Sequence, residues 1–483
     1  MTETLTRSDK AAPRHNPAWT LVLAGFGLFM SALDNMVVTT ALPVIRVSLH
    51  GGLTDLEWTV NAYILSFACF LLTGAALGDR FGRKRMFCAG VGIFTAGSAA
   101  AALSATIGAL LAARVVQGMG AAIILPLTLT LISEAFPPEK RAMAIGMWGG
   151  IAGTAVAGGP VLGGAVVDGL DWHWIFWINV PIGVLVTLLG AVRLNESFGP
   201  RPRLDIIGLV LAAAGFLGIT YGLVRANTIG WSSGQVIGSI AGGAVLVAAF
   251  VVWERQARTP MISLDLFKRV PFTTANAVSF LMYAGLFGTL FLMSQFLQIA
   301  QHHSPLATGV RLLPWTAAAM VSSPLAGQLA TRWGNRPFMA GGLLMQAIGL
   351  GWIAAVATTR LGYAELGPAL LVAGIGIGLI FPTVATEAVV SVPAEEVGVA
   401  SGTNNTLREL GGVLGIAILA TVFSRPGVYT SSSAFVDGFR AALWVGVAFS
   451  IAGAIAALPG LARRPAASGQ ASSTQTATFA EHT

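Results

Sequence analysis

Residues 19–42 read WTLVLAGFGLFMSALDNMVVTTAL, and this stretch decides the fold. It is continuous rather than alternating, and it exceeds the ~20 apolar residues a helix needs to cross a bilayer. A membrane strand would show polar and apolar residues in turn, and an open sheet edge cannot face hydrocarbon. The run therefore predicts a transmembrane helix, with one ionisable residue inside it, Asp34. The polar segment before it, with Arg7, Lys10 and Arg14, leads into a run too long for a signal-peptide core, so the span is retained.

Further apolar runs lie near 58–77, 86–104, 107–133, 141–167, 173–192, 205–225, 234–253, 272–299, 309–331, 337–358, 364–390, 403–424 and 437–458, giving fourteen candidate spans. At roughly 20 residues each they need about 280 residues, which leaves short connections and tails and no room for a sizeable soluble domain. Composition agrees: of 483 residues 55% are hydrophobic and 10% charged, against about 25% charged in a soluble domain, and mean hydropathy is +0.75. The fold class predicted is an all-α polytopic membrane protein. The net charge of +7 is spread singly and in small clusters between the runs, a pattern of membrane topology rather than of nucleic-acid binding.

An even span count puts both termini on one side. The loops on that side hold Arg80, Arg83, Lys84, Arg85, Lys140, Arg141, Arg193 and Arg336 among others, and the opposite loops fewer, such as Arg46, Arg225 and Arg360. The positive-inside bias predicts cytoplasmic termini, and basic residues that are mostly arginine hint at a bacterial genome. Trp172 and Trp315, with several other tryptophans near span ends, read as interfacial anchors. The tail after Arg464 has no apolar period and reads as disordered. Cys69 and Cys88 lie in apolar runs, and His173, His302 and His303 fall in outer connections and are read as having no carboxylate or cysteine companions, so no metal site is expected. No nucleotide-binding or paired catalytic motif appears; neither an enzyme nor a bound cofactor is expected.

The chain repeats itself. Leu77-Gly78-Asp79-Arg80-Phe81-Gly82 recurs as Leu329-Ala330-Thr331-Arg332-Trp333-Gly334, a shift of 252 residues that also maps Gly146 onto Gly398, Gly159 onto Gly411 and Leu162-Gly163 onto Leu414-Gly415. A duplicated six-span unit follows. The expected organisation is an N-terminal tail at 1–18, a six-helix bundle at 19–192, a linker with two extra spans at 193–271, a second bundle at 272–460 and a tail at 461–483.

Asp34 is the sharpest chemical feature, because a carboxylate at the bilayer centre costs about 2.5–3.5 kcal/mol on insertion scales. It lies roughly 12 Å below the outer face, and Arg114, on the inward-running fourth span, roughly 10 Å below the same face. Opposite charges at one depth admit two readings: a proton-titratable carboxylate tuned by burial and a cation, or a permanent ion pair that fixes packing. The repeat maps Asp34 onto Leu286 and Arg114 onto Leu366, and a pair confined to one half favours the coupling role. Asn35, Asn61, Tyr63, Gln117 and Trp148 are polar or aromatic candidates for a substrate cavity. Gly78, Asp79, Arg80, Gly82 and Arg83 form a short charged loop that can act as a cytoplasmic latch. Gly159, Pro160, Gly163 and Gly164 suit a close helix crossing or hinge. Glu387, Arg408 and Glu409 read as a cytoplasmic salt-bridge network.

At these motifs the chain resembles the fourteen-span drug:proton antiporter family of the major facilitator superfamily. The resemblance rests on Leu33-Asp34-Asn35-Met36-Val37-Val38 with Ala41-Leu42-Pro43, on Ala75 to Lys84, on Arg114-Val115-Val116-Gln117-Gly118, on Gly159-Pro160-Val161-Leu162-Gly163-Gly164 and on Trp172 to Gly183. It implies an inner-membrane exporter, working as a monomer on the proton motive force, that exchanges small amphipathic compounds for protons by alternating access. A proton-coupled importer or exporter of one metabolite on the same fold is the other reading.

Overall fold

The structure, a computed structural model, describes residues 17–199, 205–258, 260–393, 396–424 and 431–458. Most of the N-terminal segment and the Ser/Thr-rich tail lie outside these residues. The described residues are almost entirely helical. Thirteen of the helical segments are long and apolar enough to cross a membrane. The first group is α1 (Pro17–Ser48), α2 (Leu53–Phe81), α3 (Arg83–Ala102), α4 (Ile107–Ala135), α5 (Pro138–Gly169), and α6 (Trp174–Trp177) continued by α7 (Asn179–Arg193). A pair follows, α8 (Ile206–Ile229) and α9 (Gly234–Gln256). The last group is α10 (Val270–Gln295), α11 (Pro305–Trp333), α12 (Arg336–Val356), α13 (Tyr363–Val390), α14 (Val397–Phe423) and α15 (Ser432–Ala457).

One expected span stands apart. α11 is 29 residues long, about 43 Å at 1.5 Å per residue, which is ample for a bilayer. It carries Arg311, Pro314, Pro324 and Gln328, so its composition falls short of the other thirteen. The sixth span is one apolar segment broken at Ile178. Pro181, which has no N–H to give to the carbonyl one turn back, accounts for the interruption.

Within α1–α7, α4 packs on α2 and α3, and α1 packs on α5; within α10–α15, α14 packs on α10, and α13 on α11 and α12. The two groups meet along α5 with α11 and along α2 with α14. α8 and α9 pack on each other, and α8 covers the line where α2 meets α14. α1, α2, α10 and α14 are the most enclosed helices and α8 and α9 among the least. Polar side chains on the first set thus face protein rather than lipid. Two tryptophans depart from the anchoring role: Trp172 is fully buried and donates to Ser48 Oγ at 3.0 Å, and Trp315 is buried too. Their indoles fill helix crossings. His173 is also not without company, since its ring pairs with Asp171 two residues before it.

Candidate functional site

The centre of the first bundle is a closed polar network. Arg114 Nη1 donates to Asp34 Oδ2 and, at 2.9 Å, to Gln117 Oε1; Arg114 Nε donates to the Thr59 carbonyl at 3.1 Å. Gln117 Nε2 donates to Asp34 Oδ1 at 3.0 Å and to Ser98 Oγ at 2.8 Å, and Asn179 Nδ2 reaches Asp34 Oδ1 at 3.4 Å. The guanidinium lies 4.4 Å from the centre of the Tyr63 ring, whose hydroxyl donates to the Ser31 carbonyl. Five helices therefore meet in one network, and two of them, α4 and α7, reach the Asp34 carboxylate itself. Asp34, Arg114, Gln117 and Asn179 are all nearly inaccessible to solvent.

This satisfies the physics that made Asp34 conspicuous. A buried carboxylate is tolerated when a cation and further donors neutralise and solvate it. Chemically the network is a clamp between α1 and α4. The sequence reading placed Asp34, Arg114 and Gln117 together but missed Ser98, Thr59 and Asn179. Ser98 is one serine in a run of alanine and glycine, Thr59 contributes only its backbone oxygen, and Asn179 comes from the distant sixth span.

The five residues expected around a substrate cavity are divided by the structure. Tyr63 and Gln117 belong to the Asp34 network. Trp148 donates to Thr128 Oγ1 at 3.0 Å and packs against a small apolar cluster of Leu21, Ala24, Ile132 and Ala144. Asn61 lies fully buried with neither side-chain atom hydrogen-bonded, and Asn35 Oδ1 is buried and unpaired as well.

The charged loop is built as a latch inside the first bundle. Gly82 closes α2 and opens α3 at φ 106°, a conformation that favours glycine. Arg83 Nε donates to Asp79 Oδ1 at 2.9 Å, and Arg83 also pairs with Glu134 at the end of α4. Glu196 accepts from the Lys84 backbone N–H at 3.0 Å. Arg80 instead lies over the Phe81 ring. Glu134 and Glu196, from segments distant in sequence, were not foreseen.

Gly159 and Gly163 sit against Met36 and Val37 of α1, while Gly164 sits against the Pro305 backbone of α11. Gly309 of α11 in turn meets the Pro160 carbonyl, and Thr316 Oγ1 donates to the Ala157 carbonyl at 3.2 Å. One short motif thus packs on a helix of its own bundle and on one of the other. The seam extends to Leu306 N–H on Asp168, and Gln298 Nε2 joins the Thr40 carbonyl of α1 beside it. This end, which carries Gly52, is held shut across the two groups.

Glu387, Arg408 and Glu409 form two separate pairs rather than one network. Glu387 accepts from Asn335 Nδ2 at 3.0 Å and Arg336 Nε at 3.1 Å. Arg408 Nη2 reaches Glu409 Oε1 at 3.4 Å and lies over Tyr283 and Phe381. Glu409 also stands within electrostatic reach of Tyr63, across the seam between the groups. A cavity of about 300 Å³ between α11 and α13, lined by Thr331, Asn335 and Thr386, opens near Glu387. Among the described residues no cluster of three metal-ligating side chains occurs.

The sequence model of the Major Facilitator Superfamily matches residues 24–416. The chain belongs to that superfamily. It is 37% identical over 407 residues to the multidrug resistance protein Stp of Mycobacterium tuberculosis, covering 84% of this chain and 75% of the relative. It is 34% identical to the tetracenomycin C resistance and export protein of Streptomyces glaucescens, over 87% of this chain and 80% of that one. A methylenomycin A resistance protein of Bacillus subtilis is 32% identical over 89% and 92% of the two chains. Among solved structures, a D-xylose-proton symporter superposes with TM-score 0.67 at 12% identity, over 92% of this chain and 97% of that one. This is therefore a multi-pass membrane transporter with the major facilitator fold, not an enzyme.

Proposed function

We propose that the chain is a proton-coupled antiporter that exports drugs, antibiotics or other small amphipathic compounds across a bacterial cytoplasmic membrane by alternating access. In this reading α11 serves as the fourteenth span, both termini are cytoplasmic, the bundles at 19–192 and 272–460 rock about a monomer's centre, and 193–271 is an added pair. The observation that carries it is Asp34, deep in the first bundle, held by Arg114, Gln117 and Asn179 with no counterpart at Leu286. The relatives named for drug resistance and export supply the substrate class. No cofactor is needed, since a membrane potential supplies about 2.3 kcal/mol per proton per 100 mV.

The cycle proposed is short. Asp34 takes a proton from outside as the compound leaves, the clamp on Arg114 loosens, and the bundles return; proton release inside restores the clamp. In vesicles with an imposed pH gradient, screened against antibiotics, dyes and quaternary cations, Asp34→Asn abolishes proton-driven efflux while the protein still inserts. Undiminished efflux by that variant would sink the assignment.

A further inference from the structure

A second buried carboxylate has none of the support that Asp34 enjoys. Glu57, on α2, is 0% exposed, and neither carboxyl oxygen has a hydrogen-bond partner. Asn61, one turn on, is equally buried, with both side-chain atoms unpaired. Glu57, Asn61, Ala68 and Leu72 follow helical spacing and so share one face of α2. Leu72 meets Gly402 of α14, and the neighbouring Trp58 meets Tyr221 of α8. Glu57 thus lies on the face of α2 that meets α14 about four turns further on, at Leu72, and next to a residue that meets α8.

Among the described residues, the arginines and acids next named on the packed elements have other partners or face outward. Arg114 of α4 and Asp34 of α1 hold each other, and Arg46 of α1 donates to the Gly51 carbonyl. Asp55 caps the start of α2. Arg225 of α8 is exposed over Tyr221. Arg408 and Glu409 of α14 pair with each other, and the basic residues of α3 belong to the Gly82 latch. A bare carboxylate cannot stay ionised in such a place, because nothing replaces the water it has lost. The nearest remedy is a proton: a carboxylic acid at Glu57 becomes a donor, and Asn61 Oδ1 on the next turn is an unpaired acceptor.

We propose that Glu57 is a second proton-binding site of the transport cycle, occupied while α2 and α14 are closed and exchanging its proton with water when they part. This rests on the antiport reading and deepens it. In the present conformation Asp34 is the carboxylate with donors and Glu57 the one without. Since α2 and α14 belong to different bundles, a proton on Glu57 favours the closed seam over the open one. The cycle then moves two protons through two separate acids.

The test is infrared spectroscopy of the full-length protein at neutral pH, which shows the carbonyl band of a protonated buried acid. Glu57→Gln removes one such band, Asp34→Asn does not, and Asn61→Leu shifts it by taking away its acceptor. A spectrum unchanged by Glu57→Gln overturns the proposal, and a band lost in Glu57→Gln and shifted in Asn61→Leu supports it with Asn61 as the acceptor. In vesicles, the proton count per exported ethidium falls about twofold in Glu57→Gln, as expected when one of two intramembrane carriers is lost. Wild-type protein that moves no protons refutes the antiport reading and leaves the infrared result standing. A wild type that moves protons, with no band lost in Glu57→Gln, refutes only the second site.

Discussion

At the loop end the two bundles are near copies, and in their cores they are not. Arg83 reaches Glu134 in the first; in the second, Asn335 and Arg336 reach Glu387 at the corresponding places. Gly82 and Gly334, 252 residues apart, both take positive φ, 106° and 82°. The cores diverge. Each seats an arginine on a tyrosine face, Arg114 on Tyr63 and Arg408 on Tyr283. Arg114 Nε has the Thr59 carbonyl, whereas Arg408 Nε is buried with no acceptor, and its bond to Glu409 is stretched to 3.4 Å. The guanidinium of the first core is the more fully engaged, and that of the second has spare donor capacity. The ends share one construction, while the cores differ in how fully their arginines are engaged.

The largest effect expected is at the first core's ion pair. Arg114→Gln strands the Asp34 carboxylate, and breaking a buried pair from one side costs about 3–5 kcal/mol. Thermal unfolding in detergent should show the loss directly. The double variant Asp34→Asn with Arg114→Gln regains most of that stability without regaining efflux, which separates the packing role of the pair from its coupling role. A double variant that exports normally would reduce the first core to scaffolding.

Next comes the seam that joins the bundles. Gly164→Val places branched carbon against the Pro305 backbone, and overpacking of this kind costs about 1–3 kcal/mol. The cost falls on the conformation closed at the Gly52 end, so the population shifts to the opposite one. Spin labels across α5 and α11 report a longer distance, and efflux declines. An unchanged distance would show that the seam is not where the bundles pivot.

The second core should be more forgiving. Arg408→Gln loses a long contact between adjacent residues, and the destabilisation stays within about 1–2 kcal/mol. Its consequence is instead a changed range of exported compounds, read from resistance profiles of the variant. Destabilisation as large as that of Arg114→Gln would erase the distinction between the cores.

These differences mark what could be read from the chain. Span positions follow from apolar run length, a local property, and Asp34 with Arg114 follows from two depth estimates along known spans. The 252-residue repeat also shows in the paired loop glycines. What escaped is what only tertiary contact creates. Asn179 and Ser98 are unremarkable until the sixth and third spans bring them to Asp34 and Gln117. Glu57 looks like an end-of-helix surface acid, since it sits in the second turn of α2, and only the burial of that face by α14 and α8 makes it exceptional. Trp148 and Asn61, both plausible cavity residues by type, turn to different neighbours because helix rotation is not encoded in hydropathy.

The smallest effect separates the two loops. Both glycines combine positive φ with extended ψ, and holding an alanine there costs about 1–3 kcal/mol, so Gly334→Ala should lower stability by roughly that amount and no more, for no atom lies within 4 Å of where its Cβ would stand. Gly82→Ala carries the same backbone cost, but its Cβ would come within 2.7 Å of Glu196 Oε1. That carboxylate must move, and with it the hydrogen bond from the Lys84 N–H and the contact with Arg85. Gly82→Ala should therefore be the more destabilising of the two and the more damaging to efflux. Replacing Glu196 by alanine makes room for the new methyl, so adding Gly82→Ala to the Glu196→Ala background costs only what Gly334→Ala costs in the wild type. Equal losses from the two single variants would mean that the Glu196 side of the latch bears no load, and the loops would be functional copies despite their different surroundings.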